Sequence, residues 1–301
     1  MTALNRVSLD IGSQSYTIGI VGESGSGKST LGMTMMNLIE PPGQIEGGSV
    51  VYGGKDVLAM TEPELRRYRW AEVSMIHQSA MNSLNPVKPV CDPIIEVIRE
   101  HVGGTKQAAR TRAIELLTEV GIGPERAYDY PHELSGGMRQ RVVIALALAL
   151  SPKLVIADEP TSALDVVVQR QILSLLRDQV SKKGHSMVFI THEISLLTGL
   201  VDDVAVMYSG EVAELGPSSK VLEKPLHPYT ESLVGALLTM ETSKDVVGKY
   251  TREGAKERLE AAPLGACKFS NRCKYAFDRC QRERPMLREI ERGRWVACHK
   301  Y

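Results

Sequence analysis

The segment Gly22-Glu23-Ser24-Gly25-Ser26-Gly27-Lys28-Ser29 constrains this chain more than any other feature in it. It fits the pattern G-x-x-x-x-G-K-S/T in full. An apolar run at 18–21 leads into it, and a helix-compatible segment follows. The pattern has a mechanism only in that setting. A strand delivers the chain into a glycine-rich turn whose backbone N–H groups approach phosphates closely. The N-terminus of the next helix then adds partial positive charge. Lys28 can reach the β- and γ-phosphates and Ser29 can ligate Mg²⁺. Thr30, the next residue, is counted with the loop. A strand–loop–helix unit of this kind predicts an α/β fold, a mostly parallel sheet covered by helices on both faces.

A matching second half lies downstream. Leu154-Val155-Ile156-Ala157 reads as a buried strand, and Asp158 and Glu159 stand where it emerges. Ligands of open α/β sheets bind outside the carboxyl ends of strands. Asp158 is therefore placed to hold the Mg²⁺ shell, and Glu159 to polarise an attacking water. Two solvated acids at a strand end are the plainer alternative, and the Gly22–Ser29 loop weighs against it.

Turn and periodicity signals order the rest of the chain. Strands are expected at 7–11 and 16–21, with Gly12 and Ser13 as their turn. A helix at 28–39 is expected to stop at Pro41, Pro42 and Gly43. Further strands are read at 47–52, 73–77, 154–157 and 187–190, and a strand pair at 204–208 and 211–215. Residues 79–150 read as an inserted helical subdomain, with helices at 94–101, 105–120 and 136–150. Another helix is expected at 166–182. After Gly216 the pattern weakens, and 241–262 reads as a polar linker or loose helix.

Charge and hydropathy narrow the class. Lys+Arg and Asp+Glu number 36 each, a formal net charge of zero, which argues against a protein that grips nucleic acid. The longest apolar run, 142–150, is far shorter than the roughly 18 residues that cross a bilayer. No charged segment followed by an apolar core opens the chain, so it reads as cytosolic and not itself embedded.

Three further motifs complete an ordered series. Leu134-Ser135-Gly136-Gly137-Met138-Arg139-Gln140 precedes the Asp158-Glu159 strand, Ser162-Ala163-Leu164-Asp165 follows it, and Thr191-His192 comes after the next strand. This order resembles the ATP-binding subunit of ABC transporters over roughly residues 4–215. The resemblance implies a P-loop NTPase cassette: a mostly parallel sheet with antiparallel strands and an inserted helical subdomain. It implies that Gln78 senses Mg²⁺ and the attacking water. Ser135, Gly136 and Gly137 would bind the γ-phosphate held by an opposite subunit, as fits an anion site at a helix N-terminus. Asp165 would cross the dimer interface and His192 would contact the γ-phosphate. Alone, Gln78 and His192 would read as ordinary surface and strand-end residues.

Met138-Arg139-Gln140-Arg141-Val142, Leu226-His227-Pro228-Tyr229-Thr230 and Asn82-Ser83-Leu84-Asn85-Pro86 are similar to the oligopeptide and dipeptide importer ATPases, the D-type member of a D/F pair. By itself His227-Pro228-Tyr229-Thr230 reads as a proline turn capped by an aromatic. The resemblance implies a second ATPase subunit, identical or F-type, in a head-to-tail dimer. It also implies two membrane permease subunits, an extracellular solute-binding protein, and a place on the cytoplasmic face of the membrane. The solute could be a peptide, an oligosaccharide or nickel. A soluble ABC-type ATPase acting on DNA or ribosomes is the alternative. Such proteins carry tandem cassettes, a coiled coil or a basic surface, whereas this chain has one cassette, no heptads and zero net charge. A regulator without turnover is opposed by intact Glu159 and His192.

Four of the five cysteines, Cys267, Cys273, Cys280 and Cys298, fall in the last stretch of the chain. A tail of that length buries little core and needs a staple. Four thiols in a reducing compartment point to metal before disulfides. Their spacings of 5, 6 and 17 residues are wider than the C-x₂-C pairs of zinc ribbons. They resemble the C-terminal four-Cys motif of the same importer ATPases, which implies a 4Fe–4S cluster. Zinc and disulfides or free thiols remain the alternatives. His299 could replace a ligand, although a solvated terminal His is the plainer reading, and Cys91 reads as an apolar filler. The expected organisation is a cassette at 1–215, an accessory segment at 216–264 and a Cys-rich tail at 265–301.

One departure from the family pattern stands at the start. Family members carry an aromatic on their first strand that stacks on adenine, and none precedes residue 7 here. Tyr16 reads as core packing instead. The expectation is ATP binding roughly ten-fold or more weaker than that of a full-length relative, to be checked by titrating this chain against an N-terminally extended one.

Overall fold

The computed structural model describes residues 2–12, 15–78, 83–241, 262–263 and 265–301. The chain forms two compact units. One contains Met1–Ile11, Ile18–Leu31 and Thr191–Tyr301, and the other Gly12–Thr17 and Gly32–Ile190.

In the first unit the strand Thr17–Val21 is buried at every position and pairs in parallel with Asp203–Tyr208. Asp203–Tyr208 then turns back on Glu211–Pro217. Ser209 and Gly210 connect them, both at positive φ, 49° and 81°. That is the turn geometry whose twist matches a hairpin. The C-terminal tail extends the same sheet. Arg294–Val296 pairs antiparallel with Glu211–Pro217, and Arg288–Glu291 pairs with Arg294–Val296.

A buried ion pair fixes the tail and the 218–241 segment to this sheet. Glu214 is fully buried and meets Arg294 at 3.2 Å. Its carboxylate also accepts the backbone N–H of Leu226 at 3.0 Å and that of His227 at 2.9 Å. Arg294 donates in addition to the Lys224 carbonyl. Beyond this anchor His227 Nδ1 accepts the Tyr229 N–H at 3.0 Å, and the helix Pro228–Glu241 starts. Pro228 suits the first helical position, where its missing N–H costs nothing. The proline turn expected here therefore opens a helix. A shorter helix, Ser218–Glu223, lies just before it.

In the second unit Val73–Ile76, Leu154–Asp158 and Ser186–Thr191 pair in parallel in that order. The last two are buried throughout, as near-continuous apolar runs are in sheets covered on both faces. The helix Val166–Lys183 is stopped by Gly184 at φ 76°. Helices stand at Asp92–His101, Lys106–Glu119 and Gly136–Ala147, close to the three expected between residues 94 and 150. Ile94, Leu117 and Ile144, one on each, are fully buried. Cys91 is buried too, as expected of a filler.

Several boundaries differ from expectation. Residues 7–11 form no strand, and none of them is buried. Asn5 donates one backbone hydrogen bond to Gly210, and Arg6 at φ 51° turns the chain before pairing can continue. The neighbouring strand begins at Thr17, and Tyr16 is half-buried. The helix Lys28–Met35 stops short of the prolines. Asn37 takes a left-handed conformation, φ 50°, and the N–H groups of Asn37 and Leu38 return to Thr34 and Met33. This is the Schellman ending, with Asn in the glycine position. The strand at 47–52 shrinks to Val51–Tyr52, paired with Lys55–Asp56. The expected linker, apart from its two end residues, lies outside the described residues.

Candidate nucleotide site

The phosphate loop leaves Thr17–Val21 at Gly22 and enters the helix Lys28–Met35. Two of its glycines are required by close approach. A Cβ on Gly22 would run into the Met207 carbonyl oxygen. Gly27 stands at φ 98°, where a Cβ would meet the Ala3 carbonyl oxygen. Lys28 is 5% exposed, and its ammonium donates to the carbonyls of Gly22 and Glu23 at 2.8 and 2.9 Å. The cation is thus folded into the loop that would surround the phosphates. Ser26 N–H donates to Glu23 O at 3.1 Å, and Gly210 N–H to Ser26 O at 3.0 Å. Ser29 and Thr30 open the helix, and Ser24 and Gly25 form the loop's outer turn. His192 follows Thr191 at the end of its strand, with its imidazole half-exposed and 3.8 Å from Glu193.

The second unit collects its own site residues. Asp158 ends the buried strand and is 3% exposed. Glu159 follows in a left-handed conformation, φ 46°. A non-glycine residue held there stores strain that its surroundings must over-determine. Those surroundings are on hand: Glu159 N–H donates to Ile190 O at 2.9 Å. Gln78 Nε2 and Ser162 Oγ both donate to Glu159 Oε2, at 3.0 and 2.8 Å. The structure thus brings Gln78 and Glu159 together. It also adds Ser162, to which sequence reasoning gave no role although it stands in the motif with Asp165.

Ser135 caps the helix Gly136–Ala147, and its Oγ accepts the Met138 N–H at 3.3 Å. Gly136 and Gly137 form the first turn. Asp165 caps Val166–Lys183 by accepting the N–H groups of Val167 and Val168 at 3.1 and 3.0 Å.

In the first unit the four tail cysteines line one small pocket of about 20 Å³. His227 and His299 also line it. Burial pushes the Cys267 thiol up to about 11, and the other three cysteines add to the shift. Burial also raises Cys273 and Cys298. Thiols crowded in this way resist ionising unless a metal supplies positive charge. Among the described residues, no group of three or more His, Cys, Asp or Glu is placed to hold a metal ion.

A strand, a Gly-rich loop with a buried lysine and a helix, together with a buried strand ending in Asp-Glu, define a P-loop NTPase. The comparisons with known proteins specify the kind. The family model "ABC transporter" matches residues 4–162, and "Oligopeptide/dipeptide transporter, C-terminal region" matches 213–280. The chain is 43% identical to the dipeptide transport ATP-binding protein DppD of Escherichia coli, covering 99% of this chain and 90% of that protein. It is 41% identical to the oligopeptide transport ATP-binding protein AppD of Bacillus subtilis, over 96% of this chain and 88% of the relative. A solved dimeric ATP-binding cassette in a post-hydrolysis state with ADP and phosphate matches with a TM-score of 0.64 at 29% identity, over 72% of this chain and 90% of that one. The chain belongs to the ABC transporter family, as an ATPase subunit of the peptide-importer type. The reading as a soluble ATPase of DNA or ribosomes is set aside. No helix among the described residues is long and apolar enough to cross a membrane.

Proposed function

We propose that this chain powers import of small peptides as one half of a head-to-tail ATPase dimer on the cytoplasmic face of the membrane. Its partner is an identical subunit or an F-type paralogue. Two permease subunits form the path, and an extracellular binding protein delivers the solute. The resemblance of the whole chain to dipeptide and oligopeptide transport proteins supports the solute class. The dimeric state of a cassette with the same fold supports the pairing.

Each site residue has one task in this reading. The backbone of Gly22–Thr30 cradles the phosphates, and Lys28 exchanges the Gly22 and Glu23 carbonyls for phosphate oxygens. Ser29, Gln78 and Asp158 serve Mg²⁺, which neutralises charge on the phosphates. Glu159 holds the water, and His192 contacts the γ-phosphate. Ser135, Gly136 and Gly137 meet the partner's nucleotide, and Asp165 lies at the dimer contact. The observation that carries the hydrolytic assignment is Glu159, strained and held by Gln78 and Ser162. Co-expression with the candidate permeases tests the whole. Proteoliposomes containing all subunits and the binding protein accumulate a labelled dipeptide only with ATP, and equal uptake without ATP refutes the assignment.

The tail cysteines hold a 4Fe–4S cluster in this proposal. The resemblance of the four-Cys spacing to that of the importer ATPases, and the four thiols lining one pocket, support this reading. Anaerobically purified protein is then brown, with about four Fe per chain. Colourless protein with one zinc per chain rejects the cluster.

A further inference from the structure

Glu23 is the first variable residue of the phosphate loop, and every polar group it has is engaged. Its carbonyl accepts Lys28 Nζ at 2.9 Å. Its N–H donates to the phenolic oxygen of Tyr229 at 2.8 Å. Its carboxylate meets Arg272 in a two-pronged pair, Nη1 to Oε2 at 2.9 Å and Nη2 to Oε1 at 2.8 Å. Tyr229 opens the helix Pro228–Glu241, and Arg272 lies in the tail beside Cys273. Both stand far from the loop in sequence, Tyr229 by 206 residues and Arg272 by 249.

A half-exposed ion pair contributes little when its geometry is loose. This one is bidentate, which adds both energy and a fixed orientation. The guanidinium also lies 5.7 Å from the ring centroids of Tyr208 and Phe269. Tyr208, Tyr229 and Phe269 pack on one another, with centroids 4.6–5.5 Å apart. Tyr229 and Phe269 are buried. Arg272 therefore sits on an aromatic base and Tyr229 is part of it, so neither partner of Glu23 moves independently.

We propose that Arg272 and Tyr229 are positioning residues for nucleotide binding, which makes the Cys-rich tail a clamp on the phosphate loop. Holding Glu23 from both sides sets the direction of its carbonyl. That carbonyl is one of the two on which Lys28 rests before phosphate arrives. The clamp also directs the Glu23 N–H away to Tyr229, which leaves the turn from Ser24 onward to face the phosphates. The inference rests on the nucleotide site at Gly22–Ser29 and needs no assumption about what the four thiols hold.

Titration of the full-length chain with a fluorescent ATP analogue tests the clamp, alongside steady-state kinetics. Arg272→Met and Tyr229→Phe each weaken binding about threefold to tenfold, the size of one lost hydrogen-bonding group. KM rises by a similar factor while kcat stays within about twofold, since the interaction acts on loop geometry before chemistry. Tyr229→Phe keeps the ring and the packing, so its effect reports the hydroxyl alone. Arg272→Lys restores part of the loss. In a Glu23→Ala background Arg272→Met has no further effect. Affinity within about twofold of the unaltered chain in both single variants overturns the clamp. So does an Arg272→Met effect of equal size with and without the Glu23 carboxylate. An unaltered chain that binds no ATP overturns the nucleotide site itself, and the clamp with it.

Discussion

Glu159→Gln leaves ATP bound and lowers its turnover about 10²-fold or more. The change removes the only charge on the residue while keeping its size and one oxygen for the Gln78 and Ser162 donors. General-base catalysis by a positioned side chain is worth roughly 10²–10⁴ in rate. Because the loss falls on the chemical step, KM for ATP changes little and ATP-bound dimers accumulate. Phosphate release under saturating ATP, with dimerisation followed by size-exclusion chromatography, checks both halves. Unchanged turnover would remove Glu159 as the base.

Arg294→Met lowers folding stability by about 3–5 kcal/mol, the range for breaking one side of a buried ion pair. Glu214 is fully buried and would keep its charge without its guanidinium. Two backbone N–H groups, those of Leu226 and His227, still reach it and soften the loss. Glu214→Gln with Arg294→Met removes both charges and recovers part of the stability. Denaturant midpoints of the unaltered chain and the two variants decide it. A single-variant loss below about 1 kcal/mol would show that the pair is not what anchors the tail.

The parts of this protein that sequence revealed share a physical cause. Gly22, Gly27 and Lys28 are dictated by local backbone geometry and chemistry, so their spacing alone reveals them. The strand Leu154–Asp158 was legible because burial on both faces demands an unbroken apolar run. What stayed hidden depends on contacts distant in sequence. The alternation at 7–11 looks like a strand, yet a left-handed Arg6 ends its pairing. Asn37 stopped a helix that prolines further on seemed to stop. The helix at Pro228–Glu241 looked like a turn because its anchor, Glu214, lies on another strand. Ser162 stands in the Asp165 motif with no assigned role there, and Arg272 belongs to no motif. Ser162 is three residues from Glu159, a spacing that does signal a turn back to the acid, while Arg272 is signalled only by its place beside Cys273.

The pairing of Thr17–Val21 with Asp203–Tyr208 also sets an order in time. The phosphate loop leaves the ribosome early, but the strand beside it and the phenol that holds Glu23 are made much later. Glu23 and Tyr229 are 206 residues apart. At roughly 5–20 residues per second, about 10–40 s pass between them. For most of that interval, until Asp203–Tyr208 is made, the apolar strand TIGIV has no parallel neighbour from its own unit, and the Glu23 N–H waits longer still for its phenol. The partners that hold Glu23, Tyr229 and Arg272, therefore join the phosphate loop only long after the whole Gly22–Ser29 segment has been made.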